Sequence, residues 1–151
     1  MGGGRTMARL EQRIAGIEAR LTQPPDPTGH LDYSDEALAV AAARVYGARR
    51  RRARHFDSAI FADPAWDMLL DLFIARARGK HLRTTSLCIA SAVPPSTALR
   101  WIAELARQGL VERRPAIDDH RVRLIALSDK GYRVMRGYLV EGIEASELPR
   151  N

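Results

Sequence analysis

Only one stretch of this chain reads as β structure. "LVERR" from Leu110 and "RVRLIAL" up to Leu127 are short and strand-like, and the polar, Asp-rich turn "PAIDDH" joins them. A single hairpin is marginal alone and must bury one face against something else. Elsewhere the apolar residues recur in steps of three and four, the helical period. The expected class is therefore mainly α with a small antiparallel β-hairpin, an α+β arrangement in which helices cover the hairpin.

Punctuation delimits the helices. Ser34 is an N-cap candidate ahead of Asp35 and Glu36, and a helix is predicted from there through "EALAVAAARVYGARRRRARHF". Leu38, Ala41, Ala42 and Val45 form its apolar stripe. The stripe stops where Arg49, Arg50, Arg51, Arg52 and Arg54 begin; such consecutive residues point all round a helix, so this end is expected to be exposed. Asp63 and Pro64 open the next helix, with Trp66, Leu69, Leu70 and Phe73 as its buried face and Gly79 as its stop. A short helix over "TTSLCIASAV" is expected to be capped by Thr84 or Thr85 and to bury Cys88.

"VPPSTALRWIAELARQGL" then presents Leu99, Ile102, Ala103 and Ala106 as an inward face, with Trp101 in the core and Gly109 as the end. Only a few residues around Ala92 to Pro95 separate these two helices, and helix, tight turn, helix is the order of a helix-turn-helix unit. The hairpin follows, and in its second strand Val122, Leu124 and Ala126 share one face. Ser128 caps a last helix whose apolar side is Val134, Met135, Tyr138, Leu139 and Ile143, and Pro149 closes it.

Ahead of this block, Met7, Leu10, Ile14, Ile17 and Leu21 alternate steps of three and four, the seam of a coiled coil. About two heptads are too few to be stable alone, so the segment either packs on its own domain or forms a dimer. The prolines at 24, 25 and 27 with Gly29 make the following stretch a linker. The expected organisation is an N-terminal helix at 1–22, a Pro-rich linker at 23–33 and one domain at 34–148.

Lys and Arg outnumber Asp and Glu by 24 to 18, a formal charge of +6, which directs attention to polyanionic partners, nucleic acid before anionic membrane. Cys88 is the only cysteine, so no intrachain disulfide or Cys-based zinc cluster can form, as suits a reducing cytoplasm. No segment approaches the roughly 20 apolar residues of a membrane span, and the start lacks a signal-peptide core. A cytoplasmic location is expected, with no cofactor. No nucleophile elbow, phosphate-binding glycine loop or zinc-protease motif appears. "DDH" at 118–120 is three consecutive turn residues that cannot converge on one ion without distortion, so an enzyme is not expected.

Two elements have chemistry suited to a duplex. Ser96, Thr97 and Arg100 are the expected outward positions near the start of the second helix of the helix-turn-helix. They offer two hydroxyls and a guanidinium able to fork onto guanine O6 and N7. At the hairpin tip, Arg121 could enter a narrow A·T-rich minor groove, with the carboxylate of Asp119 holding it extended. The run Arg49, Arg50, Arg52 reads as a solvated helix end, as further phosphate contacts, or as a dock for an acidic partner.

The span ending "LARQGLVERRPAIDDHRVRLIALSDKG" resembles the winged helix-turn-helix of MarR-type transcriptional regulators. Gly109, Leu110, Val111 and Arg113, then Asp119 and Arg121, then Leu127, Ser128 and Gly131 carry that likeness. The resemblance implies a homodimer that reads double-stranded DNA with a recognition helix in the major groove and a wing arginine in the minor groove. Ser96, Thr97, Arg100, Arg113, His120, Arg121 and Arg123 become the expected DNA-binding set, with Asp119 orienting the wing. A small-molecule effector is compatible with the family, but its pocket cannot be traced in the sequence. A winged-helix module that assembles on an acidic protein partner, and a DNA binder indifferent to sequence, are the alternatives.

Overall fold

The computed structural model describes residues 32–119 and 121–147. The expected helix at 1–22, most of the linker at 23–33, His120 and Pro149 lie outside the described residues. Five helices and a small sheet make up the rest. Helix α1 is Asp35–Arg52, followed by a 3-10 turn at Ser58–Phe61 and by α2, Pro64–Ala77. The short strand β1, Leu82–Arg83, leads directly into α3, Thr84–Ala90. Helix α4 is Pro95–Arg107, β2 is Val111–Pro115, β3 is Arg123–Leu127 and α5 is Asp129–Glu147. This is the winged helix-turn-helix order anticipated above, with α4 in the recognition position and β2–β3 as the wing.

Helix α2 is the hub of the core. Met68, Leu70, Leu72 and Phe73 are sealed from solvent, and the helix touches α1, α3, α4, α5 and β3. Local chemistry sets its start: Asp63 accepts a hydrogen bond from the Trp66 N–H at 3.3 Å, and Pro64 occupies the first turn, where its missing donor costs nothing. Ser34 caps α1 in the same way, accepting from the Ala37 N–H at 3.2 Å. Gly79 and Gly109, at φ +65° and +72°, end α2 and α4 in the left-handed region that glycine enters freely.

The sheet has an unforeseen third strand. Its order is β1–β3–β2, all antiparallel, with Leu82 opposite Ile125 on one side of β3 and Arg113 opposite Ile125 on the other. Its buried face is Ile125 and Leu127 with Val111, so the Leu124 and Ala126 side expected to share a face is the half-buried one. Thr84 and Thr85 do not cap α3: Arg83 occupies the cap position without a side-chain bond, and the Thr84 hydroxyl donates instead to the Arg123 carbonyl at 3.3 Å. Entry from a strand left Thr84 beside β3, so its hydroxyl tied sheet to helix.

Three boundaries or faces differ from expectation. Helix α1 stops at Arg52, four residues short of Phe56, because the N–H groups of Ala53 to Phe56 close on the carbonyls of Arg50 to Arg52 and Asp57 starts a new turn. Phe56 meets Phe61 edge-on at 5.6 Å there. Helix α4 buries Ala98, Ile102 and Leu105; Leu99 and Ala103 lie outside, and Trp101 is 40% exposed rather than in the core. On α5, Met135, Leu139 and Val140 are buried, whereas Val134 and Tyr138 face outward, Tyr138 edge-on to Trp66 at 4.8 Å.

Two contacts fasten the wing to its surroundings. The guanidinium of Arg76 donates to the carbonyls of Leu127 and Ser128 at 3.0 and 3.2 Å and to Asp129 at 2.9 Å, and lies over the Tyr132 ring. That bond holds the Asp129 carboxyl below the usual carboxylate range. Ser128 accepts from the Gly131 N–H at 3.0 Å, capping α5 as its sequence predicts, and its own hydroxyl donates to the Gly109 carbonyl at 2.6 Å. Gly131 is buried with its Cα against Leu110: a Cβ there would stand 2.9 Å from the Leu110 carbonyl carbon and closer still to its oxygen.

Candidate nucleic-acid interface

Helix α4 can present only the face that the core leaves free. With Ala98, Ile102 and Leu105 inward, the exposed row is Ser96, Leu99, Arg100 and Ala103, at helical steps of three, one and three, with Trp101 at its flank. Ser96 and Arg100 are exposed as expected, while Thr97 is half-buried. The row therefore mixes a hydroxyl and a guanidinium with the apolar Leu99, which is 47% exposed. Hydroxyl and guanidinium suit phosphate or base edges, and an apolar side chain suits the thymine methyl of the major groove.

The wing supplies the charge. Arg113 on β2 and Arg123 on β3 are both exposed and lie two pairs apart on the register, Arg113 opposite Ile125 and Arg123 opposite Pro115. A groove of about 390 Å3 runs between the two elements, lined by Thr84, Leu99, Arg113, Arg114 and Arg123. Thus the start of α3, the outer row of α4 and both wing strands converge on one concavity with three guanidinium groups. Arg114, Thr84 and Leu99 were not anticipated as parts of this site. Arg114 stood among its neighbours without a distinguishing signal, and the other two depended on the helix register and on β1.

At the wing tip, Arg121 is exposed. The Asp119 carboxylate accepts from the backbone N–H of Arg121 at 2.9 Å, and the Val122 N–H bonds the Asp119 carbonyl at 3.0 Å. Asp119 thus shapes the turn on which Arg121 stands rather than gripping its guanidinium. Ile117 beside it is 94% exposed. His120 lies outside the described residues.

The arginine run is divided in its roles. Its expected exposure is overturned for Arg49 and Arg50. Arg49 donates from Nε to the buried Asp67 at 2.6 Å, with only 16% of its side chain exposed, and Arg50 bonds the Tyr46 hydroxyl and the Ala90 carbonyl. Asp63, Asp67 and Asp71 recur every four residues, so they form one acidic row on α2 opposite these arginines. Burial pushes the Asp71 carboxyl above the ordinary range, against the pull of Arg50. The cost of burying Asp67 is what holds Arg49 in place. Arg52 lies over the Phe61 ring at 5.2 Å, and Arg51 and Arg54 are exposed.

Other sites are sparse. Cys88 is half-buried rather than buried. Among the described residues, no group of three or more His, Cys, Asp or Glu side chains is placed to hold a metal ion, and no helix is long and apolar enough to cross a membrane.

No family model matches the chain, and no curated protein sequence matches it. Among solved structures it is similar to a MepR–DNA complex from S. aureus, at 18% identity over 56% of this chain and 68% of that one, with a TM-score of 0.48. It is similar to AF1382 from Archaeoglobus fulgidus at 19% identity, covering 57% of this chain and 90% of that one, TM-score 0.47. It is also similar to the transcriptional repressor CouR bound to a 23-mer DNA duplex, at 20% identity over 54% of this chain and 58% of that one, TM-score 0.42.

Proposed function

We propose that the chain is a transcriptional regulator that binds double-stranded DNA, with α4 in the major groove and the wing against the adjacent minor groove. The observation that carries this reading is the groove where Leu99 of α4 meets Arg113, Arg114 and Arg123 of the wing. One strand of a duplex whose major groove receives α4 has its phosphates beside such a groove, where guanidinium groups release counterions. Ser96 and Arg100 read base edges, Thr97 is a flank contact, Leu99 lies against thymine methyls, and Arg121 enters the minor groove on the turn that Asp119 shapes. In the order and spacing of these elements the chain resembles MarR-type regulators.

The domain division at 1–22, 23–33 and 34–148 belongs to the same proposal, with the 1–22 segment joining two copies. The operator is then pseudo-palindromic, with half-sites about one helical turn apart. Of the arginine run, Arg52 is left as a candidate phosphate contact, since Arg49 and Arg50 already serve α2 and α3. Selection of bound sequences from a random duplex pool at physiological salt tests the reading: a two-fold motif is expected. A bound pool without a motif reduces the protein to a sequence-indifferent DNA binder, and an empty pool removes DNA from the account.

One patch favours a second reading, a module for an acidic protein partner. Phe56, Ile60 and Phe61 are 57%, 70% and 42% exposed, and the Arg52 guanidinium lies over the Phe61 ring. An acidic peptide with an apolar anchor would find both its requirements there. An empty duplex pool together with loss of partner capture in F56A/I60A would favour it.

A further inference from the structure

Among the described residues Ile117 is the most exposed large apolar side chain, at 94%. It stands on a closed hairpin end rather than on a loose loop. The Ala116 N–H donates to the Val122 carbonyl at 3.1 Å, the Val122 N–H to the Asp119 carbonyl at 3.0 Å, and the Arg121 N–H to the Asp119 carboxylate at 2.9 Å. Three of the tip's backbone donors are thus used inside the turn, and what the tip offers outward is side chains. Isoleucine branches at Cβ and is stiff at χ1, so this one has little rotamer freedom to lose on contact.

Charge does not suit this tip to phosphates. Between Ile117 and Arg121 the sequence carries two carboxylates, Asp118 and Asp119, against the one guanidinium of Arg121. The wing's other guanidinium groups lie on its strands, at Arg113, Arg114 and Arg123. The strands therefore supply the attraction to a backbone, while the tip gains from a groove by taking apolar surface out of water. A minor groove admits an apolar side chain where two base pairs can part, and pyrimidine–purine steps part most easily. We infer that Ile117 is a wedge: it enters the minor groove beside Arg121, presses into one base step and partly unstacks it. The inference rests on the DNA-binding reading of the wing and adds a deformation that an arginine alone does not require. The two differ in the sequence they favour. A narrow, stiff A-tract attracts an arginine, whereas a wedge favours the flexible step TA, which no hydrogen bond has to read.

The test uses the full chain and the duplex obtained by selection, with 2-aminopurine opposite thymine at each flank position in turn. Binding of the parent protein is expected to raise the fluorescence at one flank step, as unstacking does, and energy transfer between the duplex ends to report a kink of about 20° or more. Among duplexes that differ only there, TA is expected to bind about ten-fold more tightly than AA. Ile117→Ala should bind the TA duplex about ten-fold more weakly, lose the fluorescence rise and no longer favour TA. Its urea midpoint should equal that of the parent, because the side chain is almost wholly in solvent. Ile117→Leu, which keeps the apolar bulk, should retain the rise and the preference. A parent protein that binds without raising flank fluorescence, or that favours AA, overturns the wedge and leaves the DNA reading standing. So does an Ile117→Ala protein that keeps both the rise and the TA preference. If the parent binds no duplex, the DNA reading fails and the wedge falls with it.

Discussion

Gly131 and Gly137 stand on the same helix, yet adding a methyl group to each should have opposite effects. At Gly137 a Cβ would meet nothing within 4 Å, and the position is exposed in mid-helix. Gly137→Ala therefore gains the helix preference of alanine, about 1 kcal/mol. At Gly131 the same gain is opposed by the approach to Leu110, whose carbonyl carbon would lie 2.9 Å from the new Cβ. Neither neighbour is a flexible side-chain end, so backbone must move. Overpacking of this kind costs about 1–3 kcal/mol. The Leu110 carbonyl also accepts the Ser128 N–H at 3.0 Å, and spoiling that bond costs about 1 kcal/mol more. The net expectation for Gly131→Ala is a loss of about 2 kcal/mol, and for Gly137→Ala a gain of up to about 1 kcal/mol. Urea titrations followed by circular dichroism at 222 nm read both from the midpoint at unchanged slope. Two variants of equal stability, or a Gly131→Ala protein as stable as the parent, would refute the claim that close backbone contact with Leu110 is what requires glycine there.

Ala92, at φ +53° in the turn between α3 and α4, is a non-glycine residue in the left-handed region. Ala92→Gly should stabilise by about 1 kcal/mol in the same titration, and a loss instead would mean the turn is not strained. Asp67→Asn leaves Arg49 half-buried without its carboxylate and should cost about 3 kcal/mol, the low end for a broken buried pair because Arg49 keeps some water. Burial raises the Asp71 carboxyl, so the folded state holds that proton more readily than the unfolded chain and the ionised form weakens the fold at neutral pH. Asp71→Asn should therefore be the more stable protein at pH 7, with the advantage shrinking as pH falls to where the carboxyl is protonated in both states; an advantage that is constant with pH, or reversed, counts against the burial argument. Arg100→Ala should lower affinity by about 1–3 kcal/mol and relax base preference, whereas Arg113→Ala should weaken all duplexes alike and reduce the salt slope by about one. The opposite pattern would exchange their roles.

Much of the fold was legible where a single residue acts on its own neighbours. Ser34, Asp63 and Ser128 each bond the N–H group three residues along, and Gly79 and Gly109 stop helices through their own φ. Such signals need no knowledge of the remainder of the chain. Faces were harder, because "STALRWIAELAR" carries two apolar rows and the choice between Leu99–Ala103 and Ala98–Ile102 is made by α2 and α3, not by the helix itself. The arginine run failed for the same reason. Nothing next to Arg49 in sequence shows that Asp67 will be buried opposite it. Of the candidate site, Ser96, Arg100 and the wing strands were legible as residue types in order. The groove between them was not, because it requires β1 to place Thr84 beside β3.

That two-residue strand has a mechanical consequence. Since β3 is hydrogen-bonded on one side to the strand that leads into α3 and on the other to the returning wing strand, the base of the wing and the root of the helix-turn-helix are parts of one plate. Beyond that plate the hairpin still closes on itself, the Ala116 N–H bonding the Val122 carbonyl at 3.1 Å. A surface laid against both elements therefore meets a fixed corner and has to match its angle.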